Sequence, residues 1–439
     1  MEPTRRIVFV SRQLSGEALR SAVAITRLAN VCLLGICEQS TDPQADELFF
    51  DLIRVDDTHS AEQLLRATRT LSANHGPLEQ VVTAQETLLA PVALTNQVLG
   101  LSGLDVFTVG RVLDKSALKA TLTRAGLNTP GGALVASAQA AEHFASRVGF
   151  PIVLKPLSGS GGLATWCIRD AAQLKLALEL TQPSAANALL VEECCVGEEV
   201  CIDTITIDSE PRFYSVCRYR QPILAALEKP EIQWSCVLPR NITTDAFEKL
   251  ISEGLKAVRA LQVGNAITHI EGFLLNNDDC CFTDATLRPA GARIGPMLGF
   301  ACDMDPHIAW ARAVIDGCFD GPWERKYAVG TIFLRGDGSG TIQEIEGIET
   351  VSRELGALIV DKRWPQAGAN KSATYTGDGY VTIRHPETQA VEEALDFIAK
   401  TVCIEYSTHL KQSFSGVREI WQQRLQHFDK QLNRPVWES

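Results

Sequence analysis

The chain reads as an α/β protein of several α+β lobes, and three observations carry that expectation. Strand-like and helix-like stretches alternate from the N-terminus, with no internal repeat and no low-complexity linker. The 439 residues, 45% of them hydrophobic, suffice to bury large cores and to divide into two to four structural units. Two apolar runs, Ile152–Leu154 and Leu189–Val191, each deliver charged residues beside glycine, as strands that feed a ligand site do.

In chain order, Arg6 to Val10 reads as a strand, Gly16 to Ala29 as a helix and Val31 to Ile36 as a strand, and Glu79-Gln80-Val81-Val82-Thr83 continues the pattern. Residues 1–112 are therefore expected to form a small doubly wound unit. An amphipathic helix from Asp114 to Ala125, closed by Gly126 and Thr129-Pro130-Gly131, opens a second unit over 113–187. A third, 188–328, ends where the composition changes at Gly321-Pro322. The fourth, 329–439, is expected to hold a hairpin of Val329–Leu334 and Gly340–Ile345 around Gly336-Asp337-Gly338-Ser339-Gly340, then a charged helix from roughly Ser415 to Asn433.

Charge narrows the partners. A net charge of −12 argues against nucleic acid or an anionic membrane, which need a basic face, and favours small molecules. The apolar run Ile7-Val8-Phe9-Val10 is too short for a signal peptide or a membrane span, so a cytoplasmic location is expected. None of the thirteen cysteines sits in a C-x-x-C pair. The doublets Cys194-Cys195 and Cys280-Cys281 lie in strand-like runs, where neighbours point to opposite faces, so plain buried thiols are expected.

The strongest chemical signal is Glu271, followed thirteen positions later by Asp284 and then Arg288. Between the acids, Phe273-Leu274-Leu275, the polar tip Asn276-Asn277-Asp278-Asp279 and Cys280-Cys281-Phe282-Thr283 read as strand, turn, strand. Glu271 and Asp284 would lie side by side and could share Mg²⁺ over nucleotide phosphates. Upstream, the strand Pro151–Pro156 delivers Lys155 into the glycine-rich run Ser158-Gly159-Ser160-Gly161-Gly162, a means of holding phosphate through backbone N–H groups and an ammonium. An ordinary hairpin with a snorkelling lysine is the alternative. Leu189–Val191 emerges into Glu192, Glu193 and Cys195, which could line a purine edge, and Glu199, seven residues after Glu192, could receive ribose hydroxyls; a solvated acidic turn is the alternative.

Taken together, Lys115 after Asp114, Lys155 before a glycine loop, Glu192 and Glu199 around Gly197, then Glu271, Asp284 and Arg288 resemble the ATP-grasp superfamily, and within it the carboxylate-amine ligases, including L-amino-acid ligases. The resemblance covers most of the chain and implies an ATP-grasp fold, with a pre-ATP-grasp doubly wound domain before it and a small C-terminal subdomain after it. It also implies ATP and Mg²⁺ (or Mn²⁺) as cofactors, small-molecule carboxylate and amine substrates, and a homodimer. Position by position, it casts Lys115 and Lys155 as phosphate lysines and Glu192 as the adenine hinge. Glu199 becomes the ribose contact, Glu271 and Asp284 the metal acids, and Arg288 the stabiliser of an acyl phosphate. Arg293 falls in a substrate-facing turn, Gly291–Gly295.

The family's E-x-N-x-R motif reads Asp284-Ala285-Thr286-Leu287-Arg288 here, so Thr286 replaces an asparagine metal ligand and weaker metal binding is expected. The implied reaction activates a carboxylate by phosphoryl transfer and lets an amine displace the phosphate. Glu86, Asp203 and His269 are candidate bases. The segment Tyr219–Arg240, with Trp234 among few regular signals, reads as an irregular lid or as a surface loop with one packed tryptophan. An ATP-grasp carboxylase or purine-type ligase, and a non-catalytic nucleotide-binding homologue, are the competing readings.

Overall fold

The computed structural model describes residues 4–40, 43–157, 162, 164–276, 279–408, 418 and 420–426. It begins with four parallel strands, β1 (Arg5–Leu14), β2 (Val31–Ser40), β3 (Asp51–Arg54) and β4 (Gln80–Val82), in the order β3-β2-β1-β4. The apolar run of β1 explains the layering, because successive residues of a strand face opposite sides. Ile7 and Phe9 pack on Ala18, Ala22 and Ile25 of the helix Gly16–Thr26, while Val8 and Val10 pack on Leu64, Ala67 and Leu71 of the helix Ala61–His75. The second helix is capped by Ser60, whose side chain accepts from the Gln63 N–H. The doubly wound expectation holds here, with the first helix ending three residues short of Ala29.

A second sheet is antiparallel: β5 (Gly132–Val135), β6 (Ile152–Pro156), β7 (Trp166–Ile168) and β8 (Leu189–Glu193), ordered β5-β8-β6-β7. Its core includes Phe144, Leu154, Trp166, Leu178 and Val191, together with Trp421 from the far C-terminal end. The rings of Trp166 and Trp421 lie 6.1 Å apart. Residues 418 and 420–426 are helical; most of the helix expected over Ser415–Asn433 lies outside the described residues.

The third sheet has eight antiparallel strands: β9 (Gly197–Ile207), β10 (Glu210–Tyr219), β11 (Ser235–Leu238), β12 (Ala266–Leu275), β13 (Cys280–Thr286), β14 (Ala328–Leu334), β16 (Ile359–Arg363) and β17 (Gly379–His385). Their order is β13-β12-β9-β10-β11-β14-β17-β16, and β15 (Ser339–Glu346) pairs separately with β18 (Cys403–Thr408). The helix Asp245–Leu261 lays Leu250, Ala257, Val258 and Leu261 on Ile202, Val216 and Ile270, the stripe that an amphipathic helix buries.

Two expectations need correction. The strands at Val329–Leu334 and Gly340–Ile345 exist but form no hairpin: β14 is hydrogen-bonded to β11 and β17 on its two sides, which leaves no edge for β15. The eight-stranded sheet takes strands from both sides of residues 320–327. The segment Tyr219–Arg240 carries regular structure that was not expected, a short helix Ile223–Glu228 and β11, and Trp234 is a core residue.

Trp234 is wholly buried, packs on Tyr219, Tyr375 and Phe333 with ring centroids 5.1, 4.9 and 5.5 Å away, and donates its indole N–H to the Gln221 carbonyl at 2.8 Å. Trp234→Ala is expected to cost roughly 3–5 kcal/mol. For a chain of 439 residues that corresponds to a melting temperature lower by about 3–5 °C, and an unchanged thermal unfolding curve would contradict this packing.

Candidate active site

Strands β12 and β13 are cross-strand partners, with Glu271 opposite Asp284 and His269 opposite Thr286. Opposed residues of an antiparallel pair share a face, so all four side chains look into one cavity of about 400 Å³. The register shifts between Glu271 and Gly272, a bulge of the kind that re-aims side chains beside active sites. Gly272 is required there: a Cβ would stand 2.6 Å from the Cys281 carbonyl oxygen.

Electrostatics fit an acid pair built for a cation. Burial pushes the Glu271 carboxyl up, yet the hydrogen bond and charge of His269, the Tyr219 hydroxyl and Lys115 outweigh it and hold the pKa down at about 2. Burial disfavours charge on His269, but Cys201 and Asp203 raise its pKa overall. Asp284 is ion-paired with Lys115, whose pKa ends up raised because Asp284 outweighs burial. Thr286 Oγ1 is buried and has no hydrogen-bond partner among the described residues. Two carboxylates and an unsatisfied hydroxyl form an all-oxygen set that fits Mg²⁺ or Mn²⁺.

The lysines converge from the other side. Asp114 caps the helix Lys115–Arg124 by accepting from the Ala117 N–H, which sets Lys115 at the cavity and, one turn on, Lys119 against Glu192. Lys155 Nζ lies 3.0 Å from Glu192 Oε2, and Lys119 is ion-paired with the same carboxylate while donating to the Pro130 carbonyl at 3.1 Å. Lys119 was not anticipated; its spacing of four from Lys115 was the available signal. Glu192 is 2% exposed, so its carboxylate faces the two ammonium groups, and the hinge expectation passes to the residues that follow it. Glu193, Cys194, Cys195 and Val196 line the cavity. Cys194 and Cys195 lie between β8 and β9 rather than in a strand, and Cys195 Sγ is 3.2 Å from Cys281 Sγ; all thirteen cysteines are free.

Glu199 accepts the Ile223 N–H at 2.8 Å, and burial together with the Glu271 charge pushes its pKa up to about 8. The unfolded carboxyl ionises near 4.5, so between pH 4.5 and 8 only the unfolded state loses its proton and stability falls as pH rises. Glu199→Gln is therefore expected to raise the melting temperature more at pH 8.5 than at pH 5. An equal shift at both pH values would remove Glu199 as the cause.

Arg288 reaches Glu86 through Nε (3.1 Å) and Nη2 (2.8 Å), which turns Glu86 from a candidate base into a charge partner. Arg293 is not among the residues lining the cavity. It is ion-paired with Asp361, lies 3.7 Å from Glu17 and stacks 4.1 Å over the Tyr380 ring, so its expected catalytic role gives way to cross-linking of the surrounding units. Gly162 lines the cavity, whereas Ser158, Gly159, Ser160 and Gly161 lie outside the described residues. Tyr219 and Tyr375, also unanticipated, complete the wall beside Arg288.

Residues 114–204 match the family model for the ATP-binding domain of the carbamoyl-phosphate synthase L chain. A crystal structure of an L-amino acid ligase from Bacillus licheniformis superposes with a TM-score of 0.75 at 16% identity, over 93% of this chain and all of that one. The chain shares the fold of that ligase. A second likeness of fold is to N5-carboxyaminoimidazole ribonucleotide synthetase from Thermotoga maritima, with a TM-score of 0.65 at 16% identity over 91% of this chain and 99% of that one. In sequence, the L-arginine-specific L-amino acid ligase of Bacillus subtilis is 23% identical over 228 residues, 51% of this chain and 54% of that protein. Alanine–anticapsin ligase of the same organism is 23% identical over 246 residues, 52% of each. The chain spans about half the length of these curated relatives. Among the described residues, no helix is long and apolar enough to cross a membrane.

Proposed function

We propose that this protein is an ATP-grasp enzyme, an ATP- and Mg²⁺-dependent ligase that joins a carboxylate, an amino acid or a related acid, to an amine through an acyl phosphate, releasing ADP and phosphate. One observation carries the reading: Glu271 and Asp284 from adjoining strands, together with Lys115, Lys155 and Arg288, all line one cavity. The similarity of sequence to two amino-acid ligases supports it.

In this reading Glu271, Asp284 and Thr286 hold the metal, which when bound neutralises charge on the phosphates. Glu193 to Cys195 present main-chain groups to the purine, and Lys155 and the glycine run take the phosphates. Arg288 stands beyond Asp284, where negative charge develops on the transferring phosphoryl group and then on the tetrahedral oxyanion formed by amine attack. The small residues Gly291 and Ala292 leave room there for an acyl side chain. The chain divides into units 1–112, 113–187, 188–328 and 329–439, the last two sharing the eight-stranded sheet.

Phosphate release measured with ATP, Mg²⁺ and a panel of amino-acid pairs tests the proposal. Release that requires both members of a pair supports it. Release that instead follows bicarbonate or a nucleotide amine would favour the purine-type reading, and none with any acceptor would leave a nucleotide-binding homologue.

A further inference from the structure

Glu271 is held in an unusual way for a side chain facing a cavity. Two donors meet one of its oxygens: the Tyr219 hydroxyl stands 3.1 Å from Oε1 and His269 Nε2 stands 3.3 Å from the same atom. Among the described residues, no donor is directed at Oε2. Behind His269, its other ring nitrogen, Nδ1, lies 2.9 Å from Asp203 Oδ1, and Asp203 also accepts from the Cys201 thiol at 3.7 Å. Asp203 is 6% exposed and His269 7%, so the chain is sheltered from water.

The register explains the alignment. Asp203 on β9 is the cross-strand partner of His269 on β12, and Glu271 follows His269 by two residues on the same face. Three sequence positions thus make a continuous line from the middle of the sheet to the cavity wall. A carboxylate behind an imidazole fixes which nitrogen carries a proton and how the ring is oriented. With Asp203 holding Nδ1, the Nε2–H is aimed at Oε1, which leaves Oε2 as the oxygen not engaged by His269 or Tyr219.

We infer that Asp203 and His269, with Tyr219, are positioning residues that set Glu271 to bind the divalent cation through a single oxygen, Oε2. This rests on the reading of Glu271 as a metal ligand. Asp203 acts at one remove: it touches neither nucleotide nor cation, and its effect passes through the imidazole. His269 is accordingly an orienting donor, not the general base, because both ring nitrogens are already engaged.

Glu38, Asp57 and His59 bring three donor atoms together, but Glu38 already accepts from the Thr58 N–H and hydroxyl, and the group sits at the start of the helix Ala61–His75, where the helix dipole disfavours a cation. The Cys195–Cys281 thiol contact lies in the nucleotide cavity already described.

The test is Mn²⁺ binding in the presence of ADP, read from the electron paramagnetic resonance signal of free Mn²⁺, with ADP affinity in EDTA measured beside it. Outer-shell partners of metal ligands typically contribute about 10–100-fold in metal affinity. Asp203→Asn and His269→Ala are each expected to weaken Mn²⁺ binding by about tenfold or more, with metal-free ADP affinity within about twofold of the parent. The double variant should be no weaker than His269→Ala alone, since Asp203 acts only through the ring. His269→Gln, which can still donate to Oε1, should recover part of the loss. Unchanged Mn²⁺ affinity in Asp203→Asn, or fully additive losses in the double variant, would overturn the inference. Glu271→Gln separates it from the underlying reading: if that variant keeps parental Mn²⁺ binding the metal assignment itself fails, whereas loss in Glu271→Gln without loss in Asp203→Asn defeats only the positioning chain.

Discussion

Replacing Arg288 by alanine is expected to lower turnover by about a hundred- to a thousandfold, the range seen when one preorganised charge-stabilising group is removed, about 2.7–4 kcal/mol, while the KM for ATP changes little. In the proposed reading the purine lies against Glu193–Cys195 and Arg288 meets the reacting acyl phosphate, so ATP affinity does not rest on Arg288, although all of these residues line the same cavity. Its guanidinium is preorganised by Glu86 on one side and by the Pro289 carbonyl, accepting from Nη1 at 2.7 Å, on the other. Truncation also leaves Glu86 as an uncompensated carboxylate in the cavity, which would repel an anionic substrate. Arg288→Ala combined with Glu86→Gln removes that second effect, and the turnover lost by the double variant measures the arginine alone. A raised KM for ATP with turnover intact would place Arg288 on the nucleotide instead of on the reacting carboxylate.

The parts of this site legible in the sequence are those whose geometry is local. Glu271 and Asp284 are brought together by a turn of a few residues and by the two-residue period of strands, both readable from composition. The alternation of Ile7, Val8, Phe9 and Val10 likewise specifies two helical layers before any partner is known. Lys119 was hidden because a lysine one turn from Lys115 is as consistent with a solvated helix face as with burial; its partner Glu192 lies on a strand of another element. Arg293 was misread for a related reason. Its neighbourhood of glycine and alanine suggests a ligand-facing turn, but Asp361, which claims its guanidinium, is 68 residues away. The glycine-rich run at residues 336–340 suggested a hairpin, and only the competition of β11 and β17 for both edges of β14 excludes it. Long-range pairing decides each of these cases, and local periodicity carries no record of it.

Lys155→Ala is expected to raise the KM for ATP at least tenfold and to reduce turnover to a level comparable with the Arg288 variant, because in the proposed reading Lys155, which β6 delivers to the cavity wall, is the ammonium that meets the phosphates. Its place is constrained: Nζ stands 3.0 Å from Glu192 Oε2 and 3.5 Å from the Thr283 carbonyl, and the side chain is 7% exposed. Removing one member of a buried ion pair is destabilising in its own right, by about 3–5 kcal/mol when nothing replaces it. Here Lys119 still faces Glu192, so the expected loss of stability is smaller than that range. The two consequences can be separated by relieving the charge left behind. Lys155→Ala with Glu192→Gln should recover much of the melting temperature, since a neutral amide needs no second ammonium. Turnover should stay low, since no ammonium then meets the phosphates from β6. Recovery of both together would assign Lys155 to the folding of the sheet and remove it from the chemistry.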